Sequence, residues 1–199
     1  MSDIKVLIEI PQGSSVKYEL DEETGEMTVD RLMPTAMSYP VNYGLILGTS
    51  GEDGDALDAL VFLSQPVMPN VVVKCKIIGV LEMEDEEGVD HKIICVPAKT
   101  KIDPICGDWS SLDNIPEAHK KQIRHFFEHY KDLEPEKWVK LKDWKNADEA
   151  MKILEAGQKR YEEECEKECE GCEDCDDQHG HCCGGDCGCD HDKSHEVSK

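Results

Sequence analysis

Basic residues are scarce in this chain. Its 199 residues include 22 Lys and Arg against 44 Asp and Glu, a formal charge of −22. Non-specific nucleic-acid binding and docking on anionic membranes both draw on basic residues, so neither is expected. Long hydrophobic runs are also missing. The longest uncharged window, Leu32 to Gly51, is broken by Pro34, Pro40, Asn42 and Gly44. A membrane-spanning helix wants about 20 mainly apolar residues. No basic stretch followed by a long apolar one opens the chain, so no secretory signal is read there. A cytoplasmic protein is expected. Cysteine is sparse over residues 1–161, where Cys75, Cys95 and Cys106 stand alone, which suits free thiols rather than disulfides. Residues 162–199 lack aromatics, and Val197 is their one sizeable aliphatic. Such a segment cannot build a core alone. The chain divides into a body, 1–161, and an acidic tail, 162–199.

The body reads as strands, then helices. Residues 4–10 are β-prone and stop at Pro11. Residues 16–20 and 27–31 flank the turn Glu23-Thr24-Gly25 and suggest a hairpin. The stretch from Leu32 to Gly51 reads as a structured loop. Ala59 to Leu63 is a short apolar run, and Val71–Met83 and Val89–Val96 read as longer strands joined by the acidic turn 84–88. The period then changes. Ile123, Phe126, Phe127 and Tyr130 share one helical face in a segment from Ile115, with Asn114 expected as N-cap and Glu117 completing a capping box. A second helix fits Ala147 to Glu164, with Ala150, Met151, Leu154 and Tyr161 as its apolar positions. Strands followed by segregated helices predict an α+β domain around a curved sheet or barrel.

Carboxylates in loops carry the chemical signal. Asp53-Gly54-Asp55-Ala56-Leu57-Asp58 places three within six residues, just before an apolar strand. Hard divalent cations take such oxygen ligands together with substrate phosphate oxygens, although a solvated turn would give the same string. An EF-hand is disfavoured because its sixth position would be Asp58 and its twelfth Ser64. Asp85, Glu86, Glu87 and Asp90 form a second acidic cluster. Lys17, Arg31 and Lys92 stand among strand residues of this acidic body. They suit an anionic ligand carried with metal, or ordinary ion pairs.

These strings, in order, resemble the family I soluble inorganic pyrophosphatases of the compact bacterial type. The resemblance runs over residues 1 to about 160 through IEIP (8–11), VKYELD (16–21), VDR (29–31), TAMSYPVNYG (35–44), DGDALD (53–58), GVLEMEDEEGVDHK (79–92), HFFEHYKDLE (125–134) and KWVK (137–140). It implies a five-stranded OB-like β-barrel with flanking helices and a homo-hexamer of two trimers. It implies hydrolysis of diphosphate to two orthophosphates, with several Mg2+ per active site. By resemblance Asp53, Asp58 and Asp90 hold the first metals, Asp58 bridging two, and Asp85 helps hold those that arrive with substrate. Asp55 matches the general base or orienter of the attacking water, with Asp85 as the alternative proton acceptor. Lys17, Arg31, Tyr43, Tyr130 and Lys131 match phosphate contacts, and Lys92 another pocket cation. Glu9, Glu19 and Tyr39 match supporting pocket residues. One departure is visible: Ala56 stands where the family motif carries Pro. Proline would fix φ and remove an N–H, so alanine leaves this loop less constrained. His125-Phe126-Phe127-Glu128-His129 also fits a zinc-peptidase pattern, but the same string is usual in the resembled family.

The tail lies outside that resemblance. Cys165, Cys169, Cys172, Cys175, Cys182, Cys183, Cys187 and Cys189 fall within 25 residues, interleaved with His179 and His181 and followed by His191. Thiolates and imidazoles suit zinc, nickel or copper and are poor magnesium ligands. The tail is expected to be disordered without metal. An iron–sulfur or redox role is one alternative, and a plain acidic tail with incidental cysteines is the other. Two hypotheses for the whole chain follow: a diphosphate hydrolase with a soft-metal tail, or a metal-storage or metal-delivery protein on an inactive scaffold of the same family.

Overall fold

The computed structural model describes residues 3–21 and 24–169, the side chains of residues 168 and 169 excepted. The strands are β1 (Ile4–Ile10), β2 (Val16–Leu20), β3 (Met27–Leu32), β4 (Asn42–Ile46), β5 (Asp58–Val61), β6 (Val71–Asp85), β7 (Gly88–Val89), β8 (Lys92–Pro97) and β9 (Val139–Asn146). The helices are α1 (Glu117–His129) and α2 (Ala147–Cys169).

β1 pairs antiparallel with β4 on one side and β6 on the other. β4 continues to β5, β5 runs parallel to β8, and β8 pairs back onto β6. β7 and β9 add to β6, giving a seven-stranded mixed sheet, with β2 and β3 as a separate two-stranded ribbon. Two strands, β7 and β9, thus stand in addition to the five expected. Both pair with the far half of the 15-residue β6, β9 along Gly79 to Asp85 and β7 at Glu84 and Asp85.

Both faces of the sheet are buried, which explains the unbroken apolar run in β8. Ile93 and Cys95 enter one core with Val6, Ile8, Ala150 and Leu154, beneath α2. Ile94 and Val96 enter the other with Ile10, Phe126 and Phe127, beneath α1. In β6 the alternation changes phase at a bulge between Ile77 and Gly79. Val73, Cys75 and Ile77 share their core with Val80, while Ile78 shares its core with Leu81 and Met83. One extra residue in a strand swaps the faces beyond it.

Several expectations shift at this level. The stretch Leu32 to Gly51 is not only loop, because β4 lies within it between β1 and β5. The expected strand from Val89 to Val96 splits into β7 and β8, broken at Asp90 and His91. Asn114 does not cap α1. Its side chain accepts from the Ser110 and Ser111 amides at 2.9 and 3.1 Å and completes a capping box on a preceding 3-10 turn. The N-cap position of α1 is Pro116, without a side-chain cap bond. α2 outruns its expected end at Glu164 and reaches Cys169. The other named tail ligands, Cys172, Cys175, His179, His181, Cys182, Cys183, Cys187, Cys189 and His191, lie outside the described residues.

Candidate active site

A cavity of about 420 Å³ opens where the β2–β3 ribbon, the loop before β5, the β6–β8 turn and the segment after α1 converge. All fourteen body residues singled out in the sequence line it: Glu9, Lys17, Glu19, Arg31, Tyr39, Tyr43, Asp53, Asp55, Asp58, Asp85, Asp90, Lys92, Tyr130 and Lys131.

The aspartate loop is short and heavily bonded to itself. Gly54 sits at φ +96°, a conformation that side chains resist, and so allows the tight turn between Asp53 and Asp55. The Asp55 amide donates to Asp53 Oδ1 at 3.1 Å, and the Gly51 amide donates to the Asp55 carbonyl at 2.6 Å. Buried Thr49 ties the loop's base, donating through Oγ1 to the Ile46 carbonyl and accepting from the Leu57 amide. Asp58 then opens β5, and β5–β8 pairing sets it beside Lys92, which opens β8.

Lys92 is the electrostatic centre. It is 2% exposed, and its Nζ donates to both Asp58 and Asp90. The same Nζ lies 3.4 Å from the Tyr43 hydroxyl and 5.8 Å from the Phe127 ring centroid. Burial alone would lower its pKa, but the two carboxylates raise it, so it stays charged. Asp90 is pushed above the usual carboxylate range by burial and by Asp58, against the pull of Lys92. Burial and nearby carboxylates also raise Tyr43, Tyr39 and Tyr130, which therefore keep their protons and remain O–H donors. Tyr130 is set by α1: it stacks on Phe126 at 5.3 Å, and Phe126 packs against Tyr39 at 4.7 Å.

Each remaining cation has a carboxylate partner. Lys17 pairs with Asp30 at 3.0 Å. Arg31 Nε meets Asp30 at 2.9 Å, and its Nη1 meets Glu134 at 2.6 Å. Lys131 Nζ donates to Asp85 and Glu86 at 2.8 and 3.0 Å. Burial works against ionisation of Glu86, but backbone amides and Lys131 outweigh it and hold the group at about 2. Glu9 is buried behind the ribbon, where its Oε1 accepts from the Leu20 amide at 3.0 Å. Burial raises it to about 7 despite that bond.

The donor set fits a hard divalent cation: carboxylate oxygens from three separate segments face one polar cavity. Among the described residues no three His, Cys, Asp or Glu groups already stand at coordinating distance. Lys92 instead neutralises Asp58 and Asp90. Sequence reasoning missed Glu134 and Lys137, which also line the cavity. Arg31 and Glu134 are 103 positions apart, and no local pattern marks that contact. The rings of His125 and His129 lie 4.8 Å apart on the exposed side of α1, and neither lines the cavity.

The family model for inorganic pyrophosphatase matches residues 6–162. The chain belongs to the inorganic pyrophosphatase family. It is similar to the inorganic pyrophosphatase of Aquifex pyrophilus, 51% identical over 159 residues, covering 80% of this chain and 89% of that protein. The inorganic pyrophosphatase of Aeropyrum pernix is 48% identical over 158 residues, covering 79% and 89%. Among solved structures of the family, the Helicobacter pylori inorganic pyrophosphatase superposes with a TM-score of 0.78 at 45% identity, covering 81% of this chain and 94% of that one. The Coxiella burnetii structure gives 0.77 at 46%, covering 80% and 95%. The family match ends at residue 162, so it takes in the body and leaves the Cys/His-rich segment outside.

Proposed function

We propose that this chain is an inorganic diphosphatase, converting diphosphate and water into two orthophosphates. The observation that carries this reading is the single cavity in which aspartates from three segments face Lys17, Arg31, Lys92 and Lys131. Diphosphate brings up to four negative charges, and an acidic protein needs both cations and metal to accept it. Asp53, Asp58 and Asp90 are the residues to hold Mg2+, with Asp85 for further ions beside the substrate. Magnesium bound there would supply charge neutralisation and a lowered pKa for the attacking water.

The chain's own residues account for the rest. Asp55 sits between Asp53 and Asp58 and accepts the proton that the attacking water gives up; Asp85 is the alternative acceptor. Lys17 and Arg31 hold Asp30 and Glu134 until an anion takes their place, so the clamp is already gathered. With Tyr43, Tyr130 and Lys131 they orient the phosphoryl group and offset charge developing on the leaving oxygen. Lys92 holds the two aspartates at its sides, and Glu9, Glu19 and Tyr39 shape the wall.

The strand circuit β1–β4–β5–β8–β6–β1 supports an OB-like five-stranded barrel as the scaffold. A homo-hexamer is the proposed assembly. Val71, Val72 and Ile102, each more than 40% exposed, line an apolar groove suited to self-association. The buried, free Cys75, Cys95 and Cys106 suit the cytoplasm, and no helix among the described residues is long and apolar enough to cross a membrane. The tail is read as a soft-metal segment for zinc, nickel or copper, supported by eight cysteines in 25 residues. A metal-handling role on an inactive scaffold is weakened by the intact cavity set.

Asp55→Asn tests the assignment. Turnover is expected to fall by at least about 100-fold, as for loss of a general base, while circular dichroism and unfolding stay as in the wild type. Undiminished turnover in that variant would remove Asp55 from its role.

A further inference from the structure

Arg31 is already occupied by carboxylates. Its guanidinium donates through Nε to Asp30 at 2.9 Å and through Nη1 to Glu134 at 2.6 Å. The two partners differ in origin. Asp30 is the neighbour of Arg31 on β3, is shared with Lys17 at 3.0 Å, and does not line the cavity. Glu134 belongs to the segment after α1, lines the cavity, and reaches Arg31 from a different wall.

Glu134 is not free to swing away. Its amide donates to the Lys131 carbonyl at 2.9 Å. On either side of it, Lys131 and Lys137 both pair with Glu86, at 3.0 and 3.3 Å. Between Glu134 and Lys137, Pro135 has a fixed φ and Glu136 takes a left-handed φ of +66°. The backbone is thus pinned at both ends of a tight return, and the carboxylate stays within reach of Arg31.

A carboxylate and a phosphate use the same guanidinium fork. Glu134 is therefore an internal anion that competes for a cation of the substrate clamp. Diphosphate is held at both of its phosphoryl groups, and each attachment keeps the other at high local concentration. Hydrolysis cuts that link. The orthophosphate left at Arg31 then faces Glu134 with a single attachment.

We propose that Glu134 is the product-release residue of the cavity, an internal carboxylate that retakes Arg31 and drives orthophosphate off the clamp. This rests on reading Arg31 as a phosphate contact.

The test is orthophosphate binding to the full chain in saturating Mg2+, by calorimetry, beside product inhibition of diphosphate hydrolysis. Glu134→Gln keeps the length and an acceptor oxygen but removes the charge. It should bind orthophosphate about fivefold more tightly, the difference between a charged and a neutral hydrogen bond at a partly buried site. Inhibition by orthophosphate should strengthen by the same factor. The gain should shrink with added salt, because Glu134 acts through its charge. Glu134→Asp keeps the charge without the reach and should show a smaller gain. In an Arg31→Ala background, Glu134→Gln should change orthophosphate affinity by less than about twofold. Arg31→Ala alone separates the two readings. If it leaves orthophosphate binding as it was, Arg31 is no phosphate contact, and the proposal falls with that reading. If it weakens binding, yet Glu134→Gln and Glu134→Asp leave binding unchanged or weaken it too, Arg31 keeps its role. Glu134 then serves only to hold the ribbon, and the proposal is overturned.

Discussion

Replacing Lys92 by Met keeps the side-chain length and removes the ammonium shared by Asp58 and Asp90. Lys92 is 2% exposed, while the two aspartates keep 23% and 19% of their side-chain surface. Removing one partner from a fully buried ion pair costs about 3–5 kcal/mol. The carboxylates here face a cavity that water reaches, so about 2–3 kcal/mol is the better figure. At roughly 2–4 °C per kcal/mol for a chain of this size, Tm of the metal-free protein should fall by about 4–12 °C. The deficit should shrink at low pH. Burial and Asp58 already raise Asp90 in the native state. Without Lys92 the native pair binds protons more readily still than the unfolded chain, so lowering the pH favours the native state. Mg2+ should recover more of Tm in the variant than in the wild type, because the cation takes over the missing charge. Thermal unfolding at pH 8 and pH 5, in chelator and in Mg2+, reads all three effects. A variant as stable as the wild type at pH 8 in chelator would refute the reasoning, since the two carboxylates would then be adequately solvated.

Two further outcomes follow from the same structure. Glu9 is raised to about 7 from 4.5 by burial, so its protonated form contributes stability fully below about pH 4.5, and that contribution fades as pH rises through 7. Glu9→Gln keeps an acceptor for the Leu20 amide and should remove up to about 3 kcal/mol of this pH dependence; urea unfolding at pH 5 and pH 8 checks it, and equal slopes for variant and wild type would count against a buried Glu9. A chain ended after Cys169 keeps the Ser50–Glu164 contact; it should retain Mg2+-dependent phosphate release and lose most zinc binding, read by metal content after dialysis.

How far the sequence reached depends on the element. β1, the β2–β3 hairpin, β6 and α2 carry patterns long enough to read directly. β4 does not, because Asn42-Tyr43-Gly44 shows no apolar alternation. It is a strand because β1 and β5 flank it, and buried Asn42 is satisfied there by Gln12, Gln65 and Val67. β9 was hidden for another reason. Its register shifts opposite Leu81 and Met83, so Leu141 and Trp144, three positions apart, both join the core. That spacing belongs to a helix rather than a strand. The cavity was legible because each string that resembles the family is an unbroken local run, and the fold gathers those runs. Glu134 and Lys137 escaped because what brings them to the cavity is the return of the chain after α1, a tertiary event without a local signature.

The most direct measurement is phosphate release from diphosphate by the full-length chain, in Mg2+ and again with Mg2+ chelated. Rapid release that requires Mg2+ is the predicted result. A folded protein that binds Mg2+ yet releases no phosphate from diphosphate would contradict the account.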